Sequence, residues 1–374
     1  MLSRPAVLFG LALLASSLHF SSPTLAQSAP GCTSSPVTDA QINSTVQILM
    51  EAEHIPGLSI GIYCDGRILK ARGYGLANVE LSAPASEHTI YQTGSVGKQF
   101  TATAIMILVE EHKIALDDPI SKYLASPAAW HGVTIRHLLT HTSGIADYTD
   151  NADKPNGTIN LRRDYTEDQL YARLVRLPLK FQPGEKWSYS NTNYVLLGFI
   201  IHKVTGEFYG DFLQQRIFKP LDMQNTRIIS ERDIIPNRSA GYEIIKGQLK
   251  NQYWVSPSLN TTADGALYTN VLDLSHWDAA LYTEKIVKKS SLDQMWTPAR
   301  LNSGKHAAYG FGWEVPASQN GHRLVEHDGA WQGFTMAICR YLDDRLTIVV
   351  MTNLDAANSN PSRLAHSLAN LYLQ

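Results

Sequence analysis

The spacing of apolar residues changes along the chain, and the first change separates a helix from a hairpin. Over residues 38–54 apolar positions recur at near-helical spacing, and Thr38 is placed to cap that helix. The apolar runs 57–63 and 67–74 follow, joined by Cys64-Asp65-Gly66. An Asp-Gly turn between two apolar runs predicts a β-hairpin, so a sheet begins directly after the first helix.

The middle of the chain, residues 95–296, carries mostly helical patterns. These segments are bounded by residues that typically begin or end helices, such as capping boxes and glycine. Helices are predicted over residues 95–111, from Thr134 to Gly144, from the capping box of Thr166 and Gln169 to Pro178, and over residues 193–204 before Gly206. Residues 147–164 are rich in Asp, Asn, Gly and Pro and predict a long surface loop, a feature that often borders binding sites.

The last part of the chain returns to strand patterns. Strands are predicted over residues 309–315, 324–327, 334–341 and 346–352, and a closing helix over residues 361–373. Strands at both ends with helices between them indicate an α+β fold, an α/β sandwich whose sheet is built from N- and C-terminal segments. We expect a sheet subdomain of about residues 37–94 and 297–374, a helical subdomain of about residues 95–296, and a cleft where they meet.

The composition is that of a globular protein and narrows the class of partners. The 374 residues are 44% apolar and 18% charged, which excludes a disordered, collagen-like or multi-span membrane protein. Lys and Arg number 32 against 34 Asp and Glu, so the net charge of −2 provides no basic field for nucleic acid. The expected partner is a small-molecule or peptide substrate.

The N-terminal residues predict export. One cation, Arg4, precedes an apolar run over residues 6–15, and Thr24-Leu25-Ala26 offers a small-residue cleavage site. Because the run is shorter than the roughly 20 residues that cross a bilayer, we expect a cleavable signal peptide over residues 1–26 rather than an anchor. Residues 27–374 would then form a single secreted or periplasmic catalytic domain with no stable membrane span.

Cysteine usage leaves two interpretations open. Cys32, Cys64 and Cys339 are too few for a disulfide scaffold, and they lack the C-x-x-C spacing of zinc or redox motifs. An oxidising compartment permits one bridge, and Cys64 and Cys339 both lie in strand-like runs, but two small buried hydrophobic residues are an equal alternative.

Ser95 and Lys98 are the first candidate catalytic pair. Their three-residue spacing at the start of a predicted helix puts both side chains on one helical face. There the helix dipole favours a developing alkoxide, and a partly desolvated lysine of lowered pKa can accept the serine proton. The alternative is that Ser95 only caps the helix.

Two further segments carry groups suited to acyl transfer. In Tyr189-Ser190-Asn191 the phenol can relay a proton and the amide can hold a substrate carbonyl. Gly329 follows the strand-like run that ends at His327, and a glycine there lets a substrate approach the backbone. The N–H of Ala330 would be a second oxyanion donor beside that of Ser95. Taken singly, Tyr189 also fits a surface turn and His327 a solvated strand end.

In this order, residues 95–98, 189–191 and 327–329 resemble the motifs of the serine β-lactamase and penicillin-binding-protein superfamily. Because the middle motif begins with tyrosine, the chain resembles the branch of class C β-lactamases and D-alanyl-D-alanine carboxypeptidases. The resemblance covers roughly residues 40–372. It implies a β-lactamase/transpeptidase-like fold, in which an antiparallel sheet is flanked by helices and carries a mostly helical insertion.

The resemblance also implies roles for the motif residues. Ser95 would be the acylated nucleophile, with Lys98 and Tyr189 sharing general base and acid duties as a coupled pair. Asn191 would bind the substrate amide, and the N–H groups of Ser95 and Ala330 would form the oxyanion hole. The resemblance implies neither a metal nor an organic cofactor.

The third motif departs from the pattern of dedicated β-lactamases and carboxypeptidases. Those enzymes usually have Lys-Thr-Gly or Lys-Ser-Gly where this chain has His327-Asp328-Gly329. A lysine supplies a fixed positive charge for a substrate carboxylate, whereas histidine is mostly neutral at periplasmic pH. We therefore expect an exported serine hydrolase acting on a D-amino-acid peptide, an ester or a β-lactam, and the missing charge argues against efficient β-lactamase activity.

Other interpretations belong to different classes. The same fold would serve a non-hydrolytic or slowly deacylating penicillin-binding or peptide-binding protein. Residues 57–61 match Gly-x-Ser-x-Gly and would make Ser59 the nucleophile of an α/β-hydrolase esterase, but that motif needs a strand followed at once by a helix. His137 and His141 are four residues apart on a predicted helix, and we expect structural rather than metal-binding roles because the intervening glutamate of the zinc motif is missing.

Overall fold

An antiparallel sheet made from both ends of the chain organises the fold. The computed structural model describes residue 32 and residues 37–154, 157–318 and 321–373. The predicted signal peptide, residues 1–26, lies outside the described residues. In the main sheet six strands are hydrogen-bonded side by side, and every neighbouring pair is antiparallel.

The described residues form nine α-helices; a 3-10 turn leads into α2, and a π-helical turn follows α6. The helices are α1 (Asp39–Glu53), α2 (Lys98–Glu110), α3 (Ile135–Leu139), α4 (Glu167–Leu174), α5 (Asn191–Thr205), α6 (Tyr209–Leu213), α7 (Val271–Ala280), α8 (Lys289–Met295) and α9 (Pro361–Tyr372).

The strands of the same residues fall into the main sheet and three small ones. They are β1 (Gly57–Cys64), β2 (Arg67–Asn78), β3 (Ala83–Pro84), β4 (Tyr91–Gln92), β5 (Arg227–Ile228), β6 (Tyr242–Ile245), β7 (Gln248–Asn251), β8 (Leu267–Thr269), β9 (Ala299–Arg300), β10 (His306–Ala307), β11 (Leu324–Trp331), β12 (Phe334–Tyr341) and β13 (Leu346–Thr352). The main sheet has the order β11-β12-β13-β1-β2-β3.

Both faces of the main sheet are covered, which makes the central strands apolar throughout. On one face Ile60 and Val350 pack with α1 and α9 in one apolar cluster. On the other, Met336 and Val349 belong to the larger cluster that contains Phe100 of α2 and many residues of the helical region. Because successive strand residues point to opposite faces, every residue of β1, β12 and β13 is buried.

Several elements follow the predictions closely. Thr38 caps α1 with a full capping box, and Thr166 does the same for α4. Gly206 closes α5 in the left-handed conformation at φ 77°, and the predicted hairpin is formed by β1 and β2. The closing helix is α9, which begins at Pro361.

Three predicted elements are wrong in extent or kind. The helix after Thr134 ends at Leu139 rather than Gly144, because His141 takes a left-handed φ of 57°. Residues 309–315 form only isolated bridges rather than a strand. The described residues of the loop 147–164 form no helix or strand, as expected, but the loop is not confined to the surface, since Tyr148 is buried.

The cysteines divide into a bridge and a buried thiol. Cys32 and Cys64 form a disulfide that ties the segment before α1 to the end of β1, and Cys339 is free and buried in β12. The pairing of Cys64 with Cys339 that the strand-like runs left open does not form, because Cys64 is bonded to Cys32, and the alternative of a small buried residue holds for Cys339 alone. Among the described helices, none combines the length and the apolar character that a membrane span requires.

Candidate active site

Ser95 lies in a 3-10 turn, Gly94–Gly97, that leads directly into α2 and is called the serine turn below. The pairing of β4 with β8 ends one residue before this turn and holds it against the backbone of residues 264–267. The turn sets the side chain of Ser95 beside that of Lys98, the first residue of α2, with Nζ 2.9 Å from Oγ. The predicted one-turn spacing is therefore realised, although the turn is 3-10 rather than α-helical.

The Lys98 amine is buried between three oxygen atoms. Nζ donates to Ser95 Oγ, to the Asn191 side-chain oxygen at 2.8 Å and to the Asp264 backbone carbonyl at 2.5 Å. Burial lowers the pKa of Lys98 from 10.5 to about 8, against the opposing effect of the carboxylates of Asp264 and Asp147. A substantial fraction of the amine is therefore neutral just above neutral pH.

Tyr189 brings a phenol to the same point. Its hydroxyl contacts Ser95, and burial raises the pKa of the phenol well above its ordinary value. The buried oxygen makes no hydrogen bond with any of the described residues, so it is available to a bound group. Lys98 Nζ lies 4.9 Å from the centre of the Tyr189 ring, so the three predicted catalytic side chains are together.

Asn191 links the lysine to a carboxylate that the sequence did not single out. Asp147 accepts hydrogen bonds from the Asn191 backbone N–H at 2.8 Å and from its side-chain Nδ2 at 3.0 Å. These bonds fix the amide so that its oxygen accepts from Lys98. Asn191 therefore positions the amine and also lines the cleft.

The backbone of β11 touches the serine turn directly. A Cβ built on Gly329 would lie 2.2 Å from the Thr93 carbonyl oxygen and 2.8 Å from the Ser95 amide nitrogen. A Cβ on Gly94, at φ 49°, would lie 2.4 Å from the Ala330 nitrogen. Only glycine permits this approach at both positions. The backbone segments that carry the N–H groups of Ser95 and Ala330 therefore lie side by side.

His327 is neutral, and both of its ring nitrogens are engaged. Nδ1 lies 2.5 Å from the Asp328 carbonyl, which can only accept, so Nδ1 carries the proton and donates it. Nε2 therefore accepts from the Tyr309 hydroxyl at 2.8 Å. Burial, helped by the charge of Lys98, lowers the pKa of His327 to about 3. The residue offers a substrate neither a positive charge nor a free N–H.

A cleft of about 190 Å³ opens over Ser95. Its wall combines catalytic-motif residues with apolar and aromatic side chains, a lining typical of small-molecule sites. The lining residues are Gly94, Ser95, Tyr148, Thr149, Asn191, Leu259, Thr262, Asp264, Gly265, Ala266, Ala330 and Trp331.

His141 is a second residue whose importance the sequence interpretation missed. Its backbone carbonyl accepts from Ser188 N at 3.0 Å, and its Nδ1 accepts from Ser190 N at 3.2 Å. These bonds hold the backbone on both sides of Tyr189, and the ring of His141 stacks on that of Tyr189 at 4.3 Å between centroids. The structural role that was expected is therefore a specific one: His141 fixes the phenol in place.

Ser59 is not a nucleophile elbow. It lies inside β1, where it pairs with Gly73 on β2 and Met351 on β13, and the strand continues to Cys64 without a helix. Its hydroxyl donates to the Ser86 carbonyl at 2.8 Å. The α/β-hydrolase alternative is therefore wrong.

The chain belongs to the Beta-lactamase family, whose profile matches residues 42–372. Penicillin-binding protein 4* of Bacillus subtilis strain 168 is 33% identical over 301 residues, which are 77% of this chain. The match covers 66% of that relative, so this chain spans just under two thirds of its length.

Solved structures carry the same fold. The octameric penicillin-binding protein homologue from Pyrococcus abyssi is 33% identical with a TM-score of 0.78, over 89% of this chain and 77% of that one. The D-stereospecific amidohydrolase from a Streptomyces species is 27% identical with a TM-score of 0.72, over 89% of this chain and 98% of that one. The family resemblance and the α+β fold expected from the sequence are confirmed.

The contact between β11 and the serine turn predicts the effect of one added methyl group. Gly329→Ala should lower the free energy of unfolding by about 1–3 kcal/mol, since the backbone atoms at 2.2 and 2.8 Å cannot move aside as a flexible side chain would. Urea denaturation measures the change. Gly304→Ala is the control, because its φ of 82° is strained but its Cβ would meet no atom within 4 Å. A Gly329 variant as stable as the wild type would contradict the close approach.

Proposed function

We propose that this protein is an exported serine hydrolase that cleaves an amide or an ester through an acyl intermediate on Ser95. The observation that carries the proposal is the position of a buried lysine amine, with a pKa of about 8, at 2.9 Å from the serine hydroxyl. An amine of this pKa beside a hydroxyl is the arrangement that general-base activation of a serine requires.

In the first step Ser95 Oγ attacks the substrate carbonyl carbon, and its proton passes to the neutral amine of Lys98. The carbonyl oxygen becomes an oxyanion, which the N–H groups of Ser95 and Ala330 stabilise. The close packing of Gly329 on the serine turn supports this assignment, because it brings together the two backbone segments that carry these N–H groups.

In the second step the tetrahedral intermediate collapses, and the bond to the leaving group breaks. The proton moves through the Tyr189 hydroxyl to the departing amine or alcohol, which leaves the acyl group on Ser95. Water then attacks the ester carbon with its proton taken by the pair of Lys98 and Tyr189, and the acid product departs as Ser95 regains its proton. His141 keeps the phenol aligned throughout.

The neutral His327 favours substrates that need no cation at this position. With both nitrogens engaged by Tyr309 and Asp328, the ring cannot neutralise a carboxylate. We therefore favour D-amino-acid amides or peptides and neutral esters over β-lactams, and the likeness to a D-stereospecific amidohydrolase agrees with this choice.

Export rests on the sequence of residues 1–26 and on the bridge between Cys32 and Cys64. Disulfides persist mainly in oxidising compartments, which include the bacterial periplasm and the cell exterior. The arrangement of residues 27–374 as one catalytic domain, with a sheet subdomain and a helical subdomain, belongs to the same proposal.

A slowly deacylating penicillin-binding protein is the second candidate. The 33% identity to penicillin-binding protein 4* favours it, since a stable acyl-enzyme would use the same Ser95, Lys98 and Tyr189. The two functions differ in turnover: the hydrolase releases product repeatedly from a chromogenic ester, whereas the binding protein releases one equivalent and stops.

Covalent labelling tests the nucleophile. A fluorophosphonate should add one adduct, located on Ser95 by peptide mass spectrometry, and Ser95→Ala should remove both the adduct and turnover, with kcat falling roughly 10⁴-fold or more. Ser59→Ala is the matched control and should be labelled like the wild type. An adduct on Ser59, or full activity in Ser95→Ala, would refute the proposal.

The pKa of Lys98 predicts the pH dependence of acylation. Because the pKa is lowered to about 8, the amine is protonated and inactive as a base below that pH and becomes neutral above it. The rate of fluorophosphonate labelling should therefore rise with pH, about tenfold per unit well below pH 8, and level off above it. A rate that is constant between about pH 6 and pH 9 would rule out Lys98 as the base.

Substitution of His327 tests the charge argument. His327→Lys should raise the ratio of kcat/KM for a carboxylate-bearing β-lactam to kcat/KM for a neutral ester by about tenfold or more, since a hydrogen bond to a charged group contributes about 1.5–3 kcal/mol. Tyr309→Phe is the control, because it frees Nε2 without adding charge. An unchanged ratio in the lysine variant, with the protein folded by circular dichroism, would count against the argument.

A further inference from the structure

Glu326, Cys339 and His366 form a cluster that the proposed hydrolase does not use. Glu326 on β11 lies directly opposite Cys339 on β12, and His366 reaches them from α9. Adjacent strand residues point to opposite faces, so Glu326 points away from the side on which His327 approaches Lys98. The cluster therefore belongs to the face of the sheet that α9 covers.

The three side chains bring different ligand atoms together. His366 Nε2 lies 2.6 Å and Cys339 Sγ 3.2 Å from the same carboxylate oxygen of Glu326. All three ligand atoms lie within 4.8 Å of one another. The Cys339 thiol is buried, whereas the side chains of His366 and Glu326 are 28% and 15% exposed, which leaves a path from solvent.

A buried hydroxyl on the same face of β12 as Cys339, that of Tyr341, has no hydrogen-bond partner among the described residues. Tyr341 follows Cys339 by two residues in β12, so both side chains lie on the same face. Its hydroxyl is buried and makes no hydrogen bond with any of the described residues. Buried polar groups are rarely left unpaired, and such a group points to a bound water or ion.

We propose that Glu326, Cys339 and His366 bind a Zn²⁺ ion, with a water molecule as the fourth ligand and Tyr341 as the hydrogen-bond partner of that water. Thiolate, imidazole and carboxylate are the ligands that zinc takes in proteins, and hard cations such as Mg²⁺ and Ca²⁺ prefer oxygen alone. On binding, the thiol and the imidazolium release their protons to solvent, and the sulfur and nitrogen lone pairs form the metal bonds.

The proposed site has a structural consequence. It joins the C-terminal helix α9 to β11 and β12, the last two strands on one side of the main sheet. A metal that binds only the folded state stabilises it in proportion to the logarithm of the metal concentration. We therefore expect zinc to act as a clamp on this edge, separately from the chemistry at Ser95.

Metal binding is tested on the full-length protein after treatment with a chelator. Zinc should bind with a stoichiometry of one, measured by competition with a chromophoric chelator, and should raise the unfolding temperature. Co²⁺ in its place should give a thiolate-to-metal charge-transfer band. Since Cys32 and Cys64 form the disulfide, Cys339 supplies the remaining thiol of the three cysteines, so that band reports on this site alone.

Substitutions identify the ligands. Cys339→Ser should abolish the band, and both Cys339→Ser and His366→Ala should weaken zinc binding by more than about 100-fold, because even outer hydrogen-bond partners contribute about 10–100-fold. Tyr341→Phe should weaken it by about tenfold. His202→Ala is the matched control, since His202 contacts Glu167 at 2.9 Å on the surface. The affinity of this variant for zinc should equal that of the wild type.

Three results would overturn the proposal: no stoichiometric zinc, no charge-transfer band, or unchanged affinity in Cys339→Ser. The last would place the metal elsewhere, for example at Glu314, His327 and Asp328, whose ligand atoms are also close together. If Cys339→Ser does not fold, His366→Ala decides, because its side chain is partly exposed and its replacement leaves the core intact.

Discussion

The burial of a single amine governs the arrangement of this site. A lysine ammonium in an apolar interior is strongly disfavoured unless oxygen atoms surround it. Here those oxygens come from three distant segments: the serine turn, the start of α5 and the backbone of Asp264. The fold must therefore bring these segments together before Lys98 can be buried, and the same convergence that tolerates the amine also shapes the cleft.

Aromatic residues around the buried amine fix the orientation of the other side chains of the site. His141 stacks on Tyr189 and holds the backbone on either side of it, while Tyr309 holds the ring of His327. The Tyr189 ring, the His327 ring and the Asn191 amide are thus each held by another residue. A group of catalytic side chains needs rigid support of this kind, because small displacements of the reacting groups lower the reaction rate strongly.

Local patterns predicted the elements well because they depend on local chemistry. The capping boxes at Thr38 and Thr166 and the Asp65-Gly66 hairpin turn are decided by a few neighbouring residues, and the structure has them where expected. The serine motif was readable for the same reason. The roles of Asp147 and His141 were not, since they arise only when separate segments meet. The helix after Thr134 was overestimated because a tertiary contact, not local propensity, decides the conformation of His141.

The strand order of the main sheet affects the order in which the strands can pair during folding. The central strand β1 pairs with β2, which follows it at once, and with β13, which lies near the other end of the sequence. During synthesis, β1 therefore exposes one unpaired edge until the residues of β13, 346–352, have emerged. Two strands so far apart in sequence pair slowly, and an unpaired strand edge can associate with other chains. This topology makes early protection of β1 by chaperones an advantage to a cell that produces the protein.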